Sequence, residues 1–262
     1  MGISLLLGIV VGVILGLTGA GGGILAVPAL VAGMGWSMQQ AAPVALIAVA
    51  GGAALGAFEG LRKGLVRYKA ALVMVIAGVP FTSVGIMVAQ RLPQAWLLGL
   101  FALVMLIVAG RFLRRAGALN LHAPVALLNP DTGRFHWNWR TGCLFVGIGA
   151  ATGFMTGLLG VGGGFMIVPA LRRFTNVTVH GIVATSLMVI ALVGSGGIMS
   201  ALAHGVTLPM PVTAYFAVAT ACGMAGGRML AARAPEALVQ RIFAVVLIVV
   251  ALGLIYKATI LV

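Results

Sequence analysis

Eight glycines, in two sets of four, are the residues of this chain best placed to do chemistry. Gly19, Gly21, Gly22 and Gly23 stand in Gly16-Leu-Thr-Gly-Ala-Gly-Gly-Gly-Ile-Leu-Ala-Val-Pro-Ala-Leu30, and Gly160, Gly162, Gly163 and Gly164 in Gly157-Leu-Leu-Gly-Val-Gly-Gly-Gly-Phe-Met-Ile-Val-Pro-Ala-Leu171. The two stretches agree at ten of fifteen positions, at a constant offset of 141. Each glycine penalises a helix by about 1 kcal/mol relative to alanine, so the long apolar runs that hold them are expected to be broken helices. A glycine break admits positive φ and lets a ligand approach the main chain closely. The half-helix resuming near Gly22 or Gly163 aims its free N–H groups and the positive end of its dipole into the break, which makes an anion site without a charged side chain. The half-helix ending near Thr18 or Leu159 presents carbonyls suited to a cation. Pro28 and Pro169 each withhold one N–H, freeing the carbonyls of Ile24 and Phe165, and are expected to kink the second half-helix. Tight helix packing would also use glycines, but a pair of breaks in one register favours a binding site.

Other polar groups are few. Thr185 and Ser186, in Val183-Ala-Thr185-Ser186-Leu187, are neutral donors for an oxyanion, or else bond back to their own helix. The first half has Pro43-Val44-Ala45 at the matching offset, so the site is expected to be chemically lopsided. His180 and His204 fall at opposite ends of the same apolar segment, as interfacial histidines do. Acids number three, Glu59, Asp131 and Glu236, all in loops or at helix ends. Glu59 precedes Lys63 by four residues, the spacing of a helix-surface ion pair. No carboxylate lies well inside an apolar segment, so coupling through a buried carboxylate is not expected. Cys143 and Cys222 have no Cys-x-x-Cys partner, which supports neither a metal site nor a disulfide framework. No Ser/His/Asp set, carboxylate pair or His-Glu-x-x-His falls in an apolar segment, and neither glycine stretch is a nucleotide loop. The expectation is no enzyme, no catalytic residues and no cofactor.

The elements that must position the glycines are membrane helices. The 262 residues are 62% hydrophobic and 7% charged, with a mean hydropathy of +1.20, whereas soluble domains carry about 25% charged residues. This is an all-α polytopic membrane protein. The net charge of +13 comes from Lys and Arg between apolar segments. No basic face with interleaved aromatics exists, which argues against nucleic acid. Trp137 and Trp139, beside Arg134 and Arg140, suit an interfacial anchor. The first seventeen residues lack a basic leader and run straight into the glycine motif, as a retained helix would.

Apolar segments fall at about 3–33, 40–58, 68–89 and 94–112, then at 141–171, 180–203, 209–230 and 236–258. Residues 1–112 and 141–262 thus form two membrane repeats around a polar linker, 113–140, with turn chemistry at Asn129-Pro-Asp-Thr-Gly133. Gly8, Gly12 and Gly16 match Gly149, Gly153 and Gly157, a small-xxx-small face for close helix contact. The ladder Gly52-x-x-x-Gly56-x-x-x-Gly60 would serve a homodimer or internal packing equally well. A single helix over 3–33 would be roughly 46 Å long, too long for a core of ~30 Å without steep tilt. If both broken segments cross once, the 16 basic residues divide ten to six; if both turn back, they divide fourteen to two, with Arg91 and Lys257 alone outside. The positive-inside rule favours the second. Each repeat is then a glycine-broken re-entrant hairpin plus three transmembrane helices. Three crossings invert the second repeat relative to the first, with the linker cytoplasmic and the termini outside. Arg62, Lys63, Arg67, Arg172 and Arg173 would gather anions at a cytoplasmic mouth without touching a bound one.

The doubled Gly-x-Gly-Gly-Gly-x-x-x-x-Pro-x-Leu, with Ala-Thr-Ser-Leu after the second copy, resembles the sulfite exporter TauE/SafE family, also called the four-toluene-sulfonate uptake permeases. The resemblance covers nearly the whole chain. It implies a multi-pass transporter of the bacterial inner membrane, carrying sulfite, sulfonates or other small sulfur-containing or organic anions. Carried over position by position, it marks Gly19, Gly21, Gly22, Gly23, Pro28, Gly160, Gly162, Gly163, Gly164, Pro169, Thr185 and Ser186. Val44 and Ala45 depart from the pattern, standing where many members have a Thr-Ser-like pair. The competing reading is a membrane scaffold or assembly factor that offers glycine faces to partner helices.

Overall fold

The computed structural model describes residues 2–19, 21–114, 126–128, 135–203, 205–206, 208–231 and 235–260, excepting the side chains of Arg114, Glu236 and Ala237. Asn129, Asp131, Arg134 and His204 lie outside these residues. The helices are α1 (Gly2–Thr18), α2 (Ala26–Gly33), α3 (Met38–Arg62), α4 (Tyr68–Arg91), α5 (Gln94–Arg114), α6 (Trp139–Leu159), α7 (Gly164–Phe174), α8 (Val179–Ala203), α9 (Met210–Ala231) and α10 (Glu236–Ile260). A 3-10 turn, Gly22–Leu25, leads into α2. Six of these helices, α3, α4, α5, α6, α8 and α10, are long and apolar enough to cross a membrane.

Both glycine-broken segments turn back on themselves. A Cβ added at Gly22 would strike the backbone of Leu15, and one at Gly33 would come within 2.5 Å of the Leu7 side chain, so α2 returns along α1. One at Gly163 would strike Thr152 and crowd Thr156, so the start of α7 lies back against α6. The expected kink at Pro28 is replaced by a change of helix type two residues earlier, where the Ala26 N–H bonds to the Gly23 carbonyl. Pro28 occupies the first turn of α2, where a missing N–H breaks no intrahelical bond. Pro169 lies inside α7.

Glycine faces set the helix pairing. Gly8, Gly12 and Gly16 of α1 meet Phe216, Thr220 and Met224 of α9 in that order, so the two helices run in one direction, backbone against backbone. Gly149, Gly153 and Gly157 of α6 meet Met74, Gly78 and Thr82 of α4 in the same way. In hydrocarbon, such close approach supplies the dispersion contacts that drive helix association. Antiparallel α3 and α8 cross the middle, with Gly60 on Ala184, Gly56 on Leu187 and Gly194 on Ala50. The ladder Gly52, Gly56 and Gly60 is therefore filled by Met224, Leu187 and Ala184 of its own chain. At the periphery, α5 and α10 run antiparallel, with Phe112 edge-on to Phe243 at 5.3 Å.

These directions gather the C-terminal ends of α3, α5 and α9 with the N-terminal ends of α4, α6, α8 and α10. Arg62, Lys63, Arg67, Lys69, Arg111, Arg140, Arg228 and Arg241 all fall at this basic end. Arg91 and Lys257 are the described basic residues at the other. Lys257 donates to the Val31 carbonyl at 3.0 Å, holding a cation on the last turn of α2, where the dipole favours it. Aromatic side chains stand outward at both ends: Trp139 (82% exposed) and Tyr68 at the basic end, Trp96 (72%) and Tyr256 (71%) at the far end. Such belts mark the two membrane interfaces. A described piece of the linker docks on the α7–α8 turn, through Ala126 N–H to the Phe174 carbonyl (2.9 Å) and Leu128 N–H to Asn176 Oδ1 (2.8 Å).

Candidate functional site

The two breaks are unequal in geometry. Gly19 takes φ +72°, while Gly21 at −83° is right-handed and starts the 3-10 turn. In the second break α6 ends on Gly160 at φ +69°, whose N–H bonds to the Thr156 carbonyl at 2.9 Å. Gly163, at φ +65°, then caps α7 and receives the N–H groups of Met166 and Ile167 on its carbonyl. The breaks meet halfway along α3 and α8. Cβ atoms added at Gly23 and Gly162 would lie 2.9 and 3.0 Å from one side chain, Val49, and the counterpart of Val49, Ile190, also packs on Gly162.

A chamber of about 1130 Å³ reaches these breaks from the basic end. Gly16, Gly19 and Gly21 of the first break, and Gly164, Phe165 and Pro169 beyond the second, line it. Its walls are Gly56 and Gly60 of α3, Val183, Ala184 and Leu187 of α8, and Ala225 of α9. Four cationic side chains reach it, Lys63, Arg111, Arg172 and Arg228, together with His180. Glu59 is the acid among them; its carboxylate takes Lys63 Nζ at 2.6 Å and Arg228 Nη1 at 2.7 Å. The surface-helix pair expected for Glu59 and Lys63 is present, with a second cation from α9 that sequence spacing does not reveal.

A second cleft, about 80 Å³, lies at the far end. Its lining repeats the first by sequence offset. Gly157, Leu158 and Gly160 stand 141 residues after Gly16, Leu17 and Gly19, Gly197 and Ala201 after Gly56 and Gly60, and Val183, Ala184 and Leu187 after Ala42, Pro43 and Leu46. Among the described residues, no charged side chain lines this cleft.

The glycines and hydroxyls singled out from sequence are therefore divided. Gly19, Gly21, Gly164 and Pro169 line the chamber and Gly160 the small cleft, while Gly22, Gly23, Gly162 and Gly163 are buried in the packing between the breaks. Thr185 and Ser186 line neither. Ser186 Oγ donates to the Ile182 carbonyl at 2.8 Å, and Thr185 Oγ1 accepts the Arg67 N–H at 3.0 Å, tying α8 to the start of α4. Thr152 escaped the sequence reading. It is wholly buried beneath Gly163, and its Oγ1 makes no hydrogen bond, whereas Thr156 Oγ1 donates to the Thr152 carbonyl at 2.8 Å. Its signal was in the repeat: Thr152 and Thr156 stand where the first copy has Val11 and Leu15.

A bundle of apolar helices around two glycine-broken hairpins and a cationic internal chamber is the architecture of a multi-pass membrane transporter. The family model described as "Sulfite exporter TauE/SafE" matches residues 4–254. The chain belongs to that family. It is 30% identical over 254 residues to a "Probable membrane transporter protein" of Xylella fastidiosa (strain 9a5c), covering 95% of this chain and 92% of that protein. A protein of the same description from Xylella fastidiosa (strain Temecula1 / ATCC 700964) is 30% identical over 253 residues, with 95% and 92% covered. The "Probable membrane transporter protein YunE" of Bacillus subtilis (strain 168) is 26% identical over 216 residues, 78% of each chain. No solved structure matches the chain.

Proposed function

We propose that this transporter carries a small oxyanion, sulfite, a sulfonate or a similar sulfur-containing or organic anion, by alternating access about the two glycine breaks. The observation that carries this reading is the pair of offset-matched cavities, one about 1130 Å³ and the other about 80 Å³. A carrier built as two inverted repeats reaches its opposite-facing state by exchanging the conformations of the repeats. The helix directions support inversion: α1, α3 and α9 run one way and α4, α6 and α8 the other, so each helix opposes its counterpart in the other half. The chamber then becomes the small cleft as the cleft opens, around a centre at Val49 and Ile190. The positive-inside rule supports an orientation with the basic end, and with it the open chamber, at the cytoplasm of a bacterial inner membrane.

The substrate class rests on charge. Four cations against one carboxylate leave the chamber net positive, which concentrates anions. At its inner end the first turn of α7 presents Gly164 and Phe165, with the dipole of an eleven-residue helix behind them. Flux assays in proteoliposomes against sulfite, ethanesulfonate, thiosulfate and acetate test the reading. Saturable flux of at least one of these anions is expected. Flux of none, with a folded protein, overturns it.

A further inference from the structure

The chamber's one described acid stands in an awkward place for structure alone. Glu59 lies in the last turn of α3, which ends at Arg62, so its carboxylate faces the negative pole of its own helix. It is also in a chamber otherwise lined by cations. Its two partners come from different helices, Lys63 one turn on along the chain and Arg228 on α9, and all three side chains line the cavity. The corresponding end of the other half has hydroxyls in place of this ion pair: Ser200, 141 residues after Glu59, donates to Ser83 Oγ at 3.1 Å, and Ile86 takes the place on α4 that Arg228 takes on α9. A carboxylate bonded to two cations presents to them what a transported oxyanion would: negative oxygen at hydrogen-bond distance.

We propose that Glu59 is the chamber's resident anion, a tethered carboxylate that holds Lys63 and Arg228 when substrate is absent and exchanges with the transported anion, which then takes those two cations as ligands. This rests on the anion-transport reading and names two binding residues that the glycine breaks do not supply. The exchange is energetically open because the pairs are partly solvated, with side chains 47% exposed for Glu59, 62% for Lys63 and 35% for Arg228, and exposed ion pairs are weak. The guanidinium of Arg228 also suits bidentate capture of a sulfonate or sulfite oxygen pair. Because Arg228 sits on the helix packed along α1, an anion taken up by Arg228 is held beside the first break at Gly16 and Gly19.

Calorimetric titration of the purified full-length protein in detergent with sulfite, ethanesulfonate, thiosulfate and acetate tests this. Removing the competitor, in Glu59→Gln and again in Glu59→Ala, should tighten binding roughly three- to tenfold. Arg228→Gln should weaken it by about tenfold or more, and Glu59→Gln added to Arg228→Gln with Lys63→Gln should restore little. If the wild-type protein binds none of the four, the transport reading itself falls. If it binds one, and both Glu59 variants, monodisperse and thermally stable, bind it no more tightly, the exchange is overturned. Unchanged binding in Arg228→Gln overturns the assignment of that cation as a ligand.

Discussion

Gly163→Ala isolates what the second break demands of its backbone. Gly163 sits at φ +65°, and an added Cβ would strike Thr152 Cγ2 and lie 3.0 Å from Thr156 Oγ1. The left-handed conformation costs an alanine about 1–2 kcal/mol. Forcing a methyl into a filled site costs about 1–3 kcal/mol more. The single variant should therefore lose about 2–5 kcal/mol against reversible unfolding in mixed detergent–SDS micelles, followed by tryptophan fluorescence. The two contributions separate by relieving the collision without touching φ. Thr152→Ser keeps the hydroxyl and deletes the methyl that Cβ meets. In the wild-type background it should cost about 0.8 kcal/mol for the lost methyl, but combined with Gly163→Ala it should restore most of the overpacking share. The double-mutant cycle is expected to give a coupling of about 1–3 kcal/mol, with a residual loss of about 1–2 kcal/mol that no change at Thr152 removes. A coupling near zero would refute the collision, and a Gly163→Ala protein as stable as wild type would refute both the collision and the left-handed cap.

Gly153→Ala places a methyl against the Gly78 carbonyl and should cost about 1–3 kcal/mol in the same assay, whereas Gly147→Ala, with open space around its Cβ, should be neutral or gain up to ~1 kcal/mol; equal effects would show that α4 and α6 do not pack backbone to backbone. In a background with Cys143 and Cys222 replaced, Tyr68→Cys should label from the cytoplasmic side and Met210→Cys from the periplasmic side, and the reverse pattern would invert the assigned orientation. Arg111→Gln, which removes a chamber cation, should slow anion uptake more at ~0.01 M than at ~0.5 M salt, since screening shortens the reach of a charge from ~30 Å to a few ångströms. A loss independent of ionic strength would mean that Arg111 contacts the anion directly.

Sequence made the breaks legible because their signal is local and doubled: glycine lowers the cost of a left-handed turn, and Gly19, Gly160 and Gly163 take one. Hairpin return was legible from length and charge together, neither of which depends on packing. Thr185 and Ser186 were not resolvable, because a hydroxyl on an apolar helix faces a cavity, a neighbour or its own carbonyl according to the rotation of that helix. The rotation of α8 is fixed by contacts such as Gly60 on Ala184 that no spacing along α8 encodes. Arg228 shows the same limit from the other side. In sequence it closes an apolar segment like any flanking arginine, and it becomes a chamber residue because α9 packs along both α1 and α3. The ladder at Gly52, Gly56 and Gly60 announced a close approach but not to what.

If the chain transports as proposed, duplicated backbone with unduplicated chemistry gives the two faces of a near-symmetric frame different surfaces. On the proposed alternating access each half adopts the other's conformation, and the matched glycines would let the two hairpins exchange shapes. The side chains at matched positions differ: Glu59 opposes Ser200, Arg228 opposes Ile86, and Thr152 and Thr156 oppose Val11 and Leu15. In the proposed mechanism, an anion meets guanidinium and ammonium groups near the mouth when the first half forms the open chamber. When the second half forms it, the walls would offer hydroxyls and apolar surface, and the proposed anion would be held with far less charge around it. On that mechanism the anion is held more tightly when the site faces the basic end than when it faces the other. If transport is passive, which leaves the equilibrium unchanged, this lopsidedness is expected as unequal half-saturation on the two faces, with maximal fluxes that compensate for it.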